Sequence, residues 1–117
     1  MIAAPIYWIL RGHEPVAAGH DEWMAWMLSE PQTIAGFNRL KRVGRRVKVA
    51  DAEVSTVFLS LDHNWRGGQP ILFETMIFGG DFDGWQDRYH TWAEAAAGHR
   101  RVVAALRAGR DPDDSTR

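Results

Sequence analysis

Two β-prone runs, Glu53 to Leu61 (E-V-S-T-V-F-L-S-L) and Ile71 to Phe78 (I-L-F-E-T-M-I-F), are joined by the short connector D-H-N-W-R-G-G-Q-P. A parallel pair would need a crossover of about a dozen residues or more, usually helical, so these strands must run antiparallel. Alternation along the second run sends Ile71, Phe73 and Ile77 to one face and Leu72, Met76 and Phe78 to the other. Both faces are apolar. The expectation is that one face meets the helices and the other meets a second subunit or a short flanking segment.

The rest of the chain fits around this pair. Ile6 to Leu10 is β-branched and aromatic and is followed by turn residues Gly12 to Pro15, which predicts a hairpin returning through Val16 to Ala18. Asp21 as N-cap and Pro31 as stop predict a short helix over residues 22–30, with Trp23, Trp26 and Met27 on one stripe. Those tryptophans read as core or subunit packing, with a base-stacking platform as the alternative. From Asn38 to Lys48 lie six basic residues, Arg39, Lys41, Arg42, Arg45, Arg46 and Lys48, interleaved with Leu40, Val43 and Val47 around Gly44. Two short amphipathic strands about a turn are expected there, either a solvated edge or an anion-binding face. Arg88 to His90 offers a third strand for the main sheet. Thr91 to Glu94 spells a capping box, and Trp92, Ala95, Ala96, His99, Val102, Val103 and Leu106 make one helical stripe that stops at Gly109. The fold expected is α+β: an antiparallel sheet of three to five strands, a C-terminal helix on one face and a short N-terminal helix. It forms a single domain over residues 1–109 with a flexible tail over 110–117.

A chain of 117 residues has room for one such domain. It has no cysteine, which excludes disulfides, thiolate chemistry, zinc fingers and iron–sulfur clusters. Fourteen Lys+Arg against fifteen Asp+Glu give a charge of -1, unlike a polycation built to wrap nucleic acid. The apolar opening M-I-A-A-P-I-Y-W-I-L has no basic leader, and no stretch approaches the ~20 apolar residues of a membrane span. A cytoplasmic location and no membrane partner are therefore expected. Six tryptophans and two-faced apolar strands in so short a chain lead to the expectation of a homo-oligomer.

The connector concentrates recognition groups. His63 can exchange a proton near neutrality, Asn64 offers an amide, Trp65 a stacking face and Arg66 a fork suited to phosphate. Gly67 and Gly68 let backbone N–H groups approach an anion. Glu74 shares a face with Leu72 and Met76 and must find a partner or lose its charge. Its candidates are a structural salt bridge to Arg66 or to the basic segment, or a role at a ligand. Asp81 and Asp83 in G-G-D-F-D-G lack the following Glu of a calcium loop, and no metal or cofactor is expected. His99, on an apolar stripe, reads as a hydrogen-bonded core histidine. Walker, G-x-S-x-G and H-E-x-x-H signatures are absent from the sequence.

The run V-S-T-V-F-L-S-L-D-H-N-W-R-G-G-Q-P-I-L-F-E-T-M-I-F-G-G, followed by R-Y-H-T-W-A-E-A-A-A-G-H, resembles a group of small proteins of tailed bacteriophages and prophages. Members read closer to L-G-L-D-H-x-F-G-x-G-P-P-L-L-F-E-T-M-V-F-G-G; here Ser60 replaces the glycine and Trp65-Arg66 occupies part of the loop. The resemblance implies a phage or prophage origin, with counter-defence as the analogous role and the host cytoplasm as the place of action. The function expected is to bind and withhold an anionic, nucleotide-like small molecule through His63, Asn64, Trp65, Arg66, Gly67, Gly68 and Glu74. One alternative is an enzyme degrading such a nucleotide, with His63 and Glu74 catalytic. Another is an inhibitor that meets a host defence protein through the basic segment or the Asp81/Asp83 turn.

Overall fold

The computed structural model describes residues 5–29 and 42–116. Two strands, β1 (Tyr7–Arg11) and β2 (Glu14–Ala18), form the expected N-terminal hairpin about Gly12 and His13. Helix α1 (His20–Ser29) follows. It starts earlier than expected: Gly19 O accepts from Trp23 N at 2.9 Å, so Gly19 holds the cap position and Asp21 sits within the first turn. A glycine serves at an N-cap, and the acids Asp21 and Glu22 favour the helix dipole from inside the turn instead. The expected stop at Pro31 lies outside the described residues.

The main sheet comprises β3 (Val47–Val49), β4 (Ala52–Phe58), β5 (Phe73–Phe78) and β6 (Gln86–Tyr89), hydrogen-bonded in that order and antiparallel throughout. With helix α2 (Trp92–Arg107) packed on one face, the architecture is the α+β arrangement expected from the sequence. The basic segment departs from expectation. Arg42 bridges Val57, and Val43 N donates to Thr56 O at 2.9 Å, while β3 pairs with Ala52 to Val54. Both pieces run along one edge of β4, so Gly44 interrupts a single edge strand instead of turning a hairpin. Arg39, Leu40 and Lys41 lie outside the described residues.

The inner face of the sheet carries Val54, Thr56, Phe58, Phe73, Thr75, Ile77 and Tyr89, all buried. Two apolar clusters form against α2. One gathers Leu10, Val43, Phe58, Leu72, Phe73, Tyr89 and Ala95, with Trp8, Trp26 and Trp92 packed on it. The other gathers Ala52, Val54, Ile77, Val102 and Val103. Each large side chain fully buried there contributes about 1.5–3 kcal/mol. Trp26 of α1 meets Phe58 edge-on at 5.9 Å, which ties the N-terminal helix to this core. Gly98 of α2 makes room for the sheet: a Cβ there would collide with the Tyr89 hydroxyl and ring. Mid-helix glycine costs about 1 kcal/mol against alanine, and here it lets helix and sheet approach.

The outer face is mixed rather than uniformly apolar. Val57, Met76 and Phe78 alternate with Glu74 paired to Arg88 at 3.0 Å, Glu53 paired to Arg46, and Arg42 donating to Ser55 Oγ at 3.0 Å. Arg46 also lies over the Phe78 ring. At the open edge of β6 the Arg88 N–H is taken by Asp87 Oδ1 and the His90 N–H by Glu94 Oε1, which blunts the edge against further strand pairing.

Helix α2 opens with the expected capping box: Glu94 N donates to Thr91 Oγ1 and Thr91 N to Glu94 Oε1, both at 3.1 Å. It ends in a Schellman arrangement, with Gly109 at φ +71° and Arg110 N donating to Ala105 O at 2.8 Å. Pro112–Thr116 forms a short 3-10 turn, Pro112 is fully buried, and the Trp85 indole N–H donates to Asp113 Oδ1 at 2.9 Å. A half-buried indole needs an acceptor, and this segment supplies it. Among the described residues no helix is long and apolar enough to cross a membrane.

Candidate functional site

The connector between β4 and β5 closes on itself. The ladder continues past the strands, with Leu59 N donating to Leu72 O and His63 N to Ile71 O. Asp62 Oδ1 then accepts from Asn64 N at 2.8 Å and from Ile71 N at 3.0 Å. Asn64 spans the loop: its Nδ2 donates to Gln69 O at 2.8 Å, and its Oδ1 accepts from Arg66 N at 3.2 Å. His63 Nδ1 donates to Leu61 O at 2.8 Å. Gly67 and Gly68 take the left-handed conformation, at φ +82° and +93°, that this tight path requires. Gly67 N is already given to Asn64 O. Asp62, Asn64 and one side of His63 are thus spent on loop shape. Trp65, 81 % exposed, and Arg66 project outward.

Glu74 stands apart from this cluster. Its partner is Arg88, directly across on β6, rather than Arg66 or the basic segment. The side chain is only 13 % exposed, so the pair settles the charge that the strand pattern left open. His63 is oriented by the Leu61 carbonyl, and Trp65 is its ring neighbour at 5.9 Å. The arrangement in which Glu74 orients His63 for acid–base work has no geometric support. Asp83 accepts from Gly79 N at 2.7 Å and so shapes its own turn.

A concave site lies at the far end of the same loop. Trp8 N donates to Ser60 O and Asp62 N to Ile6 O, which lays the N-terminal hairpin alongside the connector. Between the hairpin, Gln69–Pro70 and the amino end of α2 opens a cleft of about 620 Å³. His13, at the hairpin tip, stacks on Trp92, the first residue of α2, at 3.8 Å and 5° between ring planes. Arg11 and His90 also line the cleft. His90 Nδ1 donates to Pro70 O at 2.8 Å, so its Nε2 is the free ring nitrogen. Trp8 lines the cleft as well, but its indole N–H is closed off from solvent and has no hydrogen-bond partner. At a helix start the first N–H groups lack intrahelical acceptors, and those of Trp92 and Ala93 belong to that set. Of the connector residues singled out from sequence, none of His63, Asn64, Trp65, Arg66, Gly67 or Gly68 lines this cleft, and neither does Glu74. Sequence reasoning missed His13 and Trp92. The available signal was a histidine in a two-residue hairpin turn, where glycine, asparagine or aspartate is usual.

A second polar constellation is buried under α2. Tyr89 OH donates to Thr75 Oγ1 at 3.0 Å, Thr75 and Thr56 share a hydrogen bond at 2.6 Å, and Thr56 Oγ1 meets His99 Nδ1 at 2.6 Å. Burial raises the Tyr89 pKa above its ordinary value, the Thr75 contact opposing, so the phenol keeps its proton. Burial lowers the His99 pKa; the Arg45 backbone pulls it back up and Arg100 lowers it further.

Compared with family models, curated proteins and solved structures, the chain matches none.

Proposed function

We propose that this protein binds and withholds an anionic small molecule that carries an aromatic ring, a nucleotide being the simplest example, in the cleft between the N-terminal hairpin and α2. The observation that carries the reading is the convergence of the stacked His13–Trp92 pair, Arg11 and the start of α2 on one hollow. Its size falls within the range of about 300–1,000 Å³ usual for small-molecule sites. The aromatic pair offers a face for a base. Arg11, held only by an exposed pair to Glu22 at 3.4 Å, is free to turn to a phosphate. His90 Nε2 and Gln69 read polar edges. In this reading Trp65 and Arg66 act from the exposed loop rim, and His63, Asn64, Gly67 and Gly68 keep that rim in shape. Glu74 serves the sheet.

The resemblance to phage and prophage proteins supplies the setting, in which the ligand is a nucleotide signal of host immunity and no turnover is needed. Self-association belongs to the same reading, through the outer sheet face where Phe78 is 44 % exposed. Calorimetry against cyclic and linear nucleotides tests the binding. At least one should bind below millimolar, and His13→Ala should weaken it about tenfold. No binding to any member of the panel at millimolar concentration would overturn the proposal.

A further inference from the structure

The cleft does not end at the start of α2. A second hollow, of about 490 Å³, lies against the open edge of β6, and His90 and Ala93 line both. The two therefore make one groove, which runs from the hairpin tip along α2 to Arg101. Sequence spacing sets the floor of its second half. Ala93, Ala97 and Arg101 fall four residues apart and share one helix face. The two methyl groups leave depth there, and the arginine stands at the far end.

The charges along this second half differ in what they are free to do. Glu94 Oε1 accepts from the His90 and Thr91 N–H groups, and Asp87 Oδ1 accepts from Arg88 N. Arg88 itself is paired with Glu74. Arg101 is half-buried and has neither an ion pair nor a hydrogen bond among the described residues. Its Nε is closed off from solvent, so a ligand in the hollow meets only the two terminal nitrogens. Long side chains on a helix lean toward its N-terminus, which carries those nitrogens back over Ala97 toward the cleft. The Arg101 Cα lies about 12 Å along the axis from Ala93.

We propose that the ligand of this groove is a dinucleotide and that Arg101 binds the phosphate linking its two halves. The inference rests on the cleft reading above, in which one base lies on the His13–Trp92 pair and its own phosphate meets Arg11. The second nucleotide then passes His90 and lies over Ala93 and Ala97. Arginine offers a phosphate two parallel N–H groups, and here no carboxylate competes for them at bonding distance. A mononucleotide fills the first half alone.

Calorimetry on the full chain tests this by comparing AMP and GMP with the linear dinucleotides pApA and pGpG. At least one dinucleotide should bind at least tenfold tighter than its mononucleotide. Arg101→Gln should weaken that dinucleotide at least fivefold and leave the mononucleotide unchanged, and Arg101→Lys should recover part of the loss. Ala97→Leu should raise the floor and bring the dinucleotide down to the affinity of the mononucleotide, with the far-UV dichroism unchanged. Dinucleotides binding no tighter than mononucleotides, or Arg101→Gln weakening both alike, would overturn the dinucleotide and leave the cleft reading standing. Binding of neither class would take down both.

Discussion

In the Asp62–Pro70 loop, polar groups close together in sequence bond mainly to one another, and Asn64 alone links Gln69 to Arg66 across it. Beneath α2, four polar groups come from four different elements, β4, β5, β6 and α2, and meet only once the sheet is in register. The loop spends its hydrogen bonds on a shape at the surface, where water could replace any of them. The ladder has no such substitute. It lies between the two apolar clusters, where an unmatched hydroxyl costs about 1–3 kcal/mol. A dense polar patch in sequence therefore marked a self-closing turn, and scattered threonines marked the region where polarity carries more energy.

The sharpest way to break the comparison is at the point where helix and ladder touch. Gly98→Ala places a methyl group into the Tyr89 ring and should cost about 3 kcal/mol in denaturant unfolding, despite the better helix propensity of alanine. Against a Tyr89→Ala background the same change should cost far less, since the nearest atoms to the new methyl group are those of that ring. An unchanged midpoint for Gly98→Ala would mean that α2 does not pack this closely.

Thr75→Val comes next. It keeps the shape and removes the oxygen that Tyr89 and Thr56 both use, so about 2 kcal/mol should be lost. The double variant Thr56→Val/Thr75→Val should lose less than the two singles added, because it leaves fewer stranded partners.

His99 ties the ladder to pH. Its folded-state pKa lies below the ordinary 6.5, mainly through burial, so the unfolded chain takes up this proton at a higher pH than the folded one. Its contribution is present in full above about 6.5 and is lost as pH falls toward the folded value, at no more than about 1.4 kcal/mol per pH unit. His99→Asn, which keeps an acceptor near Nδ1, should flatten that slope. A wild-type slope that persists in the variant would assign it to other groups.

The legible parts were those written in short stretches of chain. The capping box at Thr91–Glu94 and the antiparallel β4–β5 pair were readable because neighbouring residues specify them. His99 was readable as a core histidine from its stripe, but its partner was not. Thr56 and Thr75 look like ordinary β-formers until register sets them side by side. Glu74 found Arg88 because the tight Gly79–Gly84 turn returns the chain with those two opposite, a matter of turn length rather than composition. The cleft was hidden for the same reason: His13 and Trp92 sit at the ends of distant elements and signal nothing alone.

Within the loop itself two substitutions separate shape from exposure, and they carry the smallest effects. Asn64→Ala removes the bonds to Gln69 O and from Arg66 N and should cost about 1 kcal/mol. Faster amide exchange should accompany it, confined to residues 64–71. Trp65→Ala removes a ring that is 81 % exposed and should change stability by no more than about 0.5 kcal/mol. If the loop were mere surface trim, both would be silent. If it were a preformed pocket packed around the indole, Trp65→Ala would be the larger loss. The expected order, Asn64 above Trp65, is the signature of a scaffold that holds Gln69 and Pro70 against the cleft and leaves its tryptophan free to meet something else.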